Sequence, residues 1–316
     1  MGFWIHPLKR LDPNFNSGFN SNYCPTAISL AVGFGRFLRK ERIKKMSSYH
    51  VEFPGLGWSF DVSPVAFSIG SFSVYWYGII IAIGFILAVV YCMRIAKKHG
   101  INEDKLLNCV IVGLITAIIG ARLYYVFFSW DSFKGDPMKI LNIHQGGLAI
   151  YGGLIGALIG GLTVAKIQKM KILPILDVAV LGFLIGQGIG RWGNFMNQEA
   201  FGAETNLPWR MVSERTGGFG VHPCFFYESV WCLLGFVILH FVQKKHQKYD
   251  GQIFYLYLVW YGFERSIVEG LRSDSLYLPF APIRVSQLLS AVLFLTGLVL
   301  LIVNRKKAFA KAHESE

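Results

Sequence analysis

Seven long apolar runs constrain this chain more than any other feature, because each is long enough to cross about 30 Å of hydrocarbon as a helix of about 20 residues. They lie near Ser73–Met93, Leu106–Trp130, Leu148–Ala165, Ile172–Ile189, Phe225–Val242, Gln252–Val268 and Val285–Val303. A chain of 316 residues that is 53% hydrophobic and only 16% charged, with mean hydropathy +0.44, is too apolar for a soluble domain of that size. A bilayer offers the backbone no hydrogen-bond partners, so a spanning run must satisfy its own peptide groups as a helix. Strand-like alternation is absent, which argues against a barrel. Short connections make successive helices antiparallel. The expectation is an all-α polytopic membrane protein of about seven transmembrane helices with a small extracytoplasmic head segment.

The net charge of +12 fits that class without nucleic acid as a partner. Basic residues gather after the first run (Arg94, Lys97, Lys98), the third (Lys166, Lys169, Lys171), the fifth (Lys244, Lys245, Lys248) and the seventh (Arg305, Lys306, Lys307, Lys311). The positive-inside rule makes those ends cytoplasmic, with the N-terminus of the first span outside and the C-terminus inside. Residues 1–45 break the pattern, since they carry eight lysines and arginines yet would have to be translocated. They lack the layout of a signal peptide, and Ala27–Phe34 is too short to span. We expect 1–45 to be an upstream mis-start or a disordered extension, with residues 46–316 forming the membrane domain; the alternative is a basic surface helix over Ile28–Lys45. Cys24, Cys92, Cys109, Cys224 and Cys232 show neither metal-ligand nor redox spacing, so burial is their expected fate. No metal or other cofactor is expected.

The fourth run leads into Gly188-Ile-Gly-Arg-Trp-Gly-Asn-Phe-Met-Asn-Gln-Glu-Ala-Phe-Gly202. Gly188, Gly190 and Gly193 formally match a dinucleotide fingerprint, but the fingerprint requires a preceding strand, and here a membrane span precedes it. The glycines are expected to permit close backbone approach. Arg191, Asn194, Asn197 and Glu199 place a cation and polar groups at a membrane exit, where they are expensive unless they bind something. Guanidinium suits a phosphate diester because it is a rigid fork of donors that keeps its charge. Glu199 is expected to orient the arginine or a ligand hydroxyl. A snorkelling interfacial arginine with asparagine caps is the plainer alternative for Arg191 alone.

On the sixth run Tyr261, Arg265, Glu269 and Arg272 are spaced by four, four and three, which confines them to an arc of roughly 80° on a helix. Gly152, Gly156 and Gly160 form small-xxx-small repeats suited to tight helix packing. Tyr151 precedes them, Arg122 lies inside the second run, and Tyr77 opens the first. His222 and Glu228 open the fifth, near Pro223.

With these residues in view, the chain resembles the prolipoprotein diacylglyceryl transferase family. Gly190–Gly202 is similar to the family signature. Trp76-Tyr77-Gly78, Gly146-Gly147-Leu148 with Gly152-Gly153, His222-Pro223 with Tyr227-Glu228, Tyr261 with Arg265 and Glu269, and Arg284-Val-Ser-Gln287 follow in family order. The resemblance implies a bacterial cell membrane enzyme, with its site on the extracytoplasmic side, that transfers the diacylglyceryl group of phosphatidylglycerol to the lipobox cysteine thiol of prolipoproteins, releasing glycerol phosphate. It also implies that Arg191 and Arg265 clamp the phosphate, that Glu269 positions Arg265, and that Asn194, Asn197, Glu199, Gly202, Tyr77, Tyr261 and His222 serve the headgroup. Where the family often has histidine, this chain has Tyr151. Its ordinary pKa of about 10 makes it a poorer base than a histidine near 6.5, which suggests a hydrogen-bond donor to phosphate, with His222 a second candidate base. The rival readings are a transporter for an anionic solute, for which the two halves show no repeated signature, and a membrane protein that only binds a lipid headgroup.

Overall fold

The computed structural model describes residues 48–69, 72–142, 146–273, 277–278 and 281–314. The extension at 1–45 and Cys24 lie outside the described residues.

Each apolar run becomes a helix: α1 (Trp76–Ala96), α2 (Glu103–Phe128), α3 (Ile150–Ile167), α4 (Ile172–Asn197), α5 (Cys224–His246), α6 (Gln252–Leu271) and α7 (Val285–Glu314). Among the described residues six of these, all but α6, are both long and apolar enough to cross a membrane. The exception has a physical cause, because α6 concentrates Glu264, Arg265 and Glu269 in its second half. Large apolar side chains face outward along the bundle, including Ile86, Ile115, Leu123, Ile159, Leu295 and Val299, as lipid-facing helices require.

Helix starts and stops follow local chemistry. The side chain of Asn102 accepts from the Lys105 backbone N–H at 2.9 Å, and Glu103 and Asp104 add negative charge at the positive end of α2. Asp177, the one carboxylate in the fourth run, is buried where it caps the neighbouring helix. It accepts from the N–H of Gly251 at 2.7 Å and of Phe254 at 2.8 Å, so the start of α6 is fixed by a side chain of α4. At its far end α4 runs two turns beyond the apolar stretch and stops at Gln198, which is left-handed at φ 50°. Ala200 at φ 59° is left-handed as well. Two such non-glycine residues cost on the order of 1–3 kcal/mol each. They reverse the chain, so that the Glu199 N–H returns to the Asn194 carbonyl at 3.1 Å.

Packing makes α4 the hub. It lies against α1 on one side and α5 on the other, while α2 pairs with α3 and α6 with α7. Val180, Leu181 and Leu184 of α4 form a core with Cys232 and Leu239 of α5 and with Ile253, Tyr257 and Leu258 of α6. The α2–α3 seam is glycine-lined, and a Cβ on Gly120 would stand 3.1 Å from the Gly156 Cα. Cys92, Cys109, Cys224 and Cys232 are buried.

The all-α expectation needs one correction, since small sheets cap one end of the bundle. β1 (Tyr49–Phe53) pairs antiparallel with β2 (Trp58–Val62) and with β5 (Val212–Ser213), which sits between α4 and α5. β3 (Val65–Ile69) and β4 (Phe72–Tyr75) form a hairpin that runs straight into α1, so the first span starts at Trp76 and not at Ser73. β6 (Tyr277–Leu278) and β7 (Ala281–Arg284) form another before α7. Val51, Val62, Met211 and Val221 pack on Phe195 and Phe225, which joins the larger sheet to the ends of α4 and α5.

Candidate active site

Beneath that sheet, three helices bring charge together. Arg191 lies two turns before the end of α4 and is buried, and the glycines around it explain how. A Cβ on Gly188 would stand 3.0 Å from Leu233 Cγ of α5, and one on Gly193 would stand 2.7 Å from Tyr77 Cδ2 of α1. The pattern that mimics a dinucleotide fingerprint is therefore a packing device. It draws Tyr77 within electrostatic reach of Arg191 and Glu199.

Glu228, in the second turn of α5, is the centre. Its Oε2 accepts from the Arg191 guanidinium and, at 3.0 Å, from Arg265 Nη1. Its Oε1 stands 3.9 Å from Arg272 Nη1. Glu269, one turn beyond Arg265 on α6, accepts from Arg265 Nη2 at 2.5 Å. All five side chains are buried. Three arginines and two carboxylates sequestered in this way hold one another; removing one partner of such a pair costs about 3–5 kcal/mol because the other charge is left buried alone.

Of the two roles expected of Glu199, orienting the arginine or a ligand hydroxyl, the structure pairs it with asparagines and not with Arg191. Glu199 Oε1 accepts from Asn194 Nδ2 at 3.1 Å and from Asn197 Nδ2 at 3.2 Å, and the carboxylate facing Arg191 is Glu228. Asn194 and Asn197 do share a face, because α4 continues through them. Tyr261, one turn before Arg265, stacks on Tyr257 with ring centroids 5.8 Å apart and lies within electrostatic reach of Arg191 and Arg265. Gly202 joins the α4 exit to both other sides of the site. Its N–H donates to the His222 carbonyl at 2.9 Å, it bridges to Arg272, and a Cβ there would meet His222 Cβ at 2.7 Å.

His222 precedes α5, with Nδ1 3.3 Å from the Tyr227 hydroxyl, which accepts from Trp209 Nε1 at 2.7 Å. Burial lowers the His222 pKa below its ordinary value, which favours the neutral ring. Tyr151 sits elsewhere. In the first turn of α3 it is 37% exposed, and its hydroxyl meets Ser286 Oγ of α7 at 3.4 Å. The junction of β7 and α7 also reaches α6, where Arg284 donates to the Glu269 carbonyl and Gln287 Nε2 to the Ser266 carbonyl at 3.1 Å. Tyr151 thus touches the site's neighbours and not its arginines.

Arg122 has a different fate from the other intramembrane arginines. Its guanidinium donates to the carbonyls of Lys139, Ile140, Asn142, Gly146 and Gly147 at 2.6–2.9 Å and lies over the rings of Tyr125 and Phe133. It anchors the α2–α3 connection. Glu228 is the residue that sequence reasoning underweighted. A carboxylate five residues into an apolar helix requires a cation, and that signal was present in the fifth run.

A polytopic bundle of apolar helices, with guanidiniums from α4 and α6 buried among carboxylates near a small sheet, is a multi-pass membrane protein with its charge gathered in one place. A family model for prolipoprotein diacylglyceryl transferase matches residues 64–303. The chain is 44% identical over 250 residues to the phosphatidylglycerol–prolipoprotein diacylglyceryl transferase of Finegoldia magna, covering 79% of this chain and 98% of that protein. It is 41% identical over 261 residues to the proteins of that name from Bacillus cereus and Bacillus anthracis, covering 80% of this chain and 96% of each. The chain belongs to the prolipoprotein diacylglyceryl transferase family. It is a multi-pass membrane transferase.

Proposed function

We infer that this protein moves the diacylglyceryl group of phosphatidylglycerol to the thiol of a lipobox cysteine in prolipoproteins, with Arg191 and Arg265 holding the phosphate. The observation that carries this reading is the convergence of Arg191 and Arg265, from different helices, on one oxygen of Glu228. Each guanidinium has five donors in a fixed fork, so two of them held side by side can also receive phosphate oxygens.

The thiolate sulfur attacks the glycerol carbon that bears the phosphate, an S–C bond forms, and the C–O bond breaks with its electron pair leaving on glycerol phosphate. The thiol proton is lost before attack and ends on the phosphate or on solvent. Charge builds on the departing phosphate, where fixed guanidiniums out of bulk water stabilise it best. Glu269 holds Arg265 in position. Tyr77, Tyr261, Asn194, Asn197, Glu199, Gly202 and His222 surround the headgroup. The cationic field favours the thiolate, and Tyr151 stands at the edge as a hydrogen-bond donor.

In this reading α6 is the seventh span, its polar stripe turned inward to the arginines. The four basic ends face the cytoplasm and the sheet end faces outward, in the bacterial cell membrane, where prolipoproteins present their cysteines. The test is a purified protein supplied with phosphatidylglycerol and a lipobox peptide. The peptide should gain the mass of a diacylglyceryl group, and its cysteine-to-serine counterpart should gain nothing; unmodified cysteine peptide in the presence of folded protein would overturn the reading.

A further inference from the structure

One carboxyl group near the arginines forms no salt bridge with them. Glu264 lies on α6 beside Arg265, is 4% exposed, and stands within electrostatic reach of Arg191, Arg265 and Glu228. Tyr257, Tyr261 and Glu264 recur at i, i+4 and i+7, so the two tyrosines and the carboxylate share one stripe. Glu264 Oε1 accepts no hydrogen bond, and it is the one buried carboxylate oxygen among the described residues left without a partner. The other carboxylates of the region are engaged: Glu228 by arginines, Glu269 by Arg265, and Glu199 by two asparagine amides.

A buried acceptor left unmade is costly, and a ligand that donates to it recovers that cost on binding. The inferred lipid differs from most other phosphodiesters in carrying two free hydroxyls on its headgroup. We propose that Glu264 is the acceptor for a headgroup hydroxyl of phosphatidylglycerol and so a specificity-determining residue of this site. The inference rests on the transferase reading above. Guanidiniums fix the phosphate, which every phospholipid has, and they cannot by themselves tell one headgroup from another. A site built to bond a substrate hydroxyl strongly rejects the analogue that lacks it.

The experiment compares transfer to a lipobox peptide from phosphatidylglycerol and from phosphatidylpropanol of the same acyl chains, which keeps the three-carbon headgroup and lacks its hydroxyls. The wild-type protein is expected to prefer phosphatidylglycerol by about 10- to 100-fold in kcat/KM. Glu264→Leu is expected to bring the two lipids within about 3-fold, chiefly by loss of the phosphatidylglycerol rate. Glu264→Gln preserves shape while replacing the carboxyl with an amide, which changes the hydrogen bond it can offer a headgroup hydroxyl, and is expected to reduce the preference about 3- to 10-fold. Equal use of both lipids by the wild-type protein would overturn the proposal. So would a loss in either variant that is equal for both lipids, which marks a structural role. If Glu264→Leu does not fold, the Glu264→Gln ratio decides, and an unchanged ratio overturns it. Folded wild-type protein that transfers from neither lipid would overturn the transferase reading, and this proposal with it.

Discussion

Glu228 sets where Arg191 and Arg265 can be, because both guanidiniums meet on its Oε2. Glu228→Ala should therefore act through the arginines: two buried cations lose their shared anion, at about 3–5 kcal/mol. Transfer is expected to fall at least about 100-fold, and the thermal unfolding midpoint in detergent should fall with it. Arg265→Lys should not rescue transfer, because one ammonium cannot reach Glu228 and Glu269 in the way a fork of donors does. Tyr151→Phe is expected to keep at least about a tenth of wild-type transfer, since its hydroxyl meets Ser286 and the proposed mechanism leaves activation of the thiol to the arginine field. A loss beyond about 100-fold at unchanged stability would make Tyr151 the proton acceptor. Arg191, Asn194, Arg265 and Glu269 stand out in the sequence because they are charged or amide side chains in or just beyond an apolar run. Which carboxylate faces which arginine could not, because Glu228 lies on another helix, 37 residues from each partner. Glu199 was closer in the chain and for that reason the natural candidate.

At the scale of elements, the hydrophobic runs located the seven long helices; their ends moved outward where polar residues extend the helix past the apolar core, and inward at α1, where the β3–β4 pair takes Ser73–Tyr75. The two extra turns of α4 are the instance that matters, since they carry Arg191, Asn194 and Asn197. The strands escaped notice because they are two to five residues long and several carry apolar side chains outward, as at Trp58, Phe67 and Ile69. The α2–α3 seam was legible as Gly152, Gly156 and Gly160, and it yields a prediction. Gly156→Val places two methyl groups against the Thr116–Ala117 backbone, so the helices must separate. Overpacking of this kind costs about 1–3 kcal/mol, and unfolding in detergent should begin several degrees lower.

The head sheet gives a pH prediction. His50 on β1 meets Asp61 of β2 at 2.8 Å and Glu52 at 3.1 Å, and its backbone N–H donates to Glu214 at 3.1 Å. The hydrogen bond to Asp61 is the largest of the effects that raise its pKa. A histidine raised on folding stabilises the sheet below its unfolded value of about 6.5, and that contribution is lost as the pH rises through the folded value. Hydrogen exchange of the β1–β2 amides, corrected for intrinsic rates, should quicken above pH 6.5 in the wild-type protein, and His50→Asn should remove the pH dependence.

At the scale of the molecule, a hub helix, two flanking helix pairs and a sheet cap produce one consequence: guanidiniums from α4 and α6 meet out of water near an end of the bundle. Charge placement along the chain and the position of the sheet both assign that end to the side opposite the lysine clusters. The central claim is that Arg191 and Arg265 hold the phosphate of phosphatidylglycerol while a peptide thiol displaces it. The most direct measurement follows glycerol phosphate released from headgroup-labelled phosphatidylglycerol by wild-type protein and by Arg191→Ala, with and without the cysteine peptide. Release should require the peptide cysteine and fall at least about 1,000-fold in Arg191→Ala while the protein remains folded. Release without the peptide, or near-wild-type release by Arg191→Ala, would contradict the account.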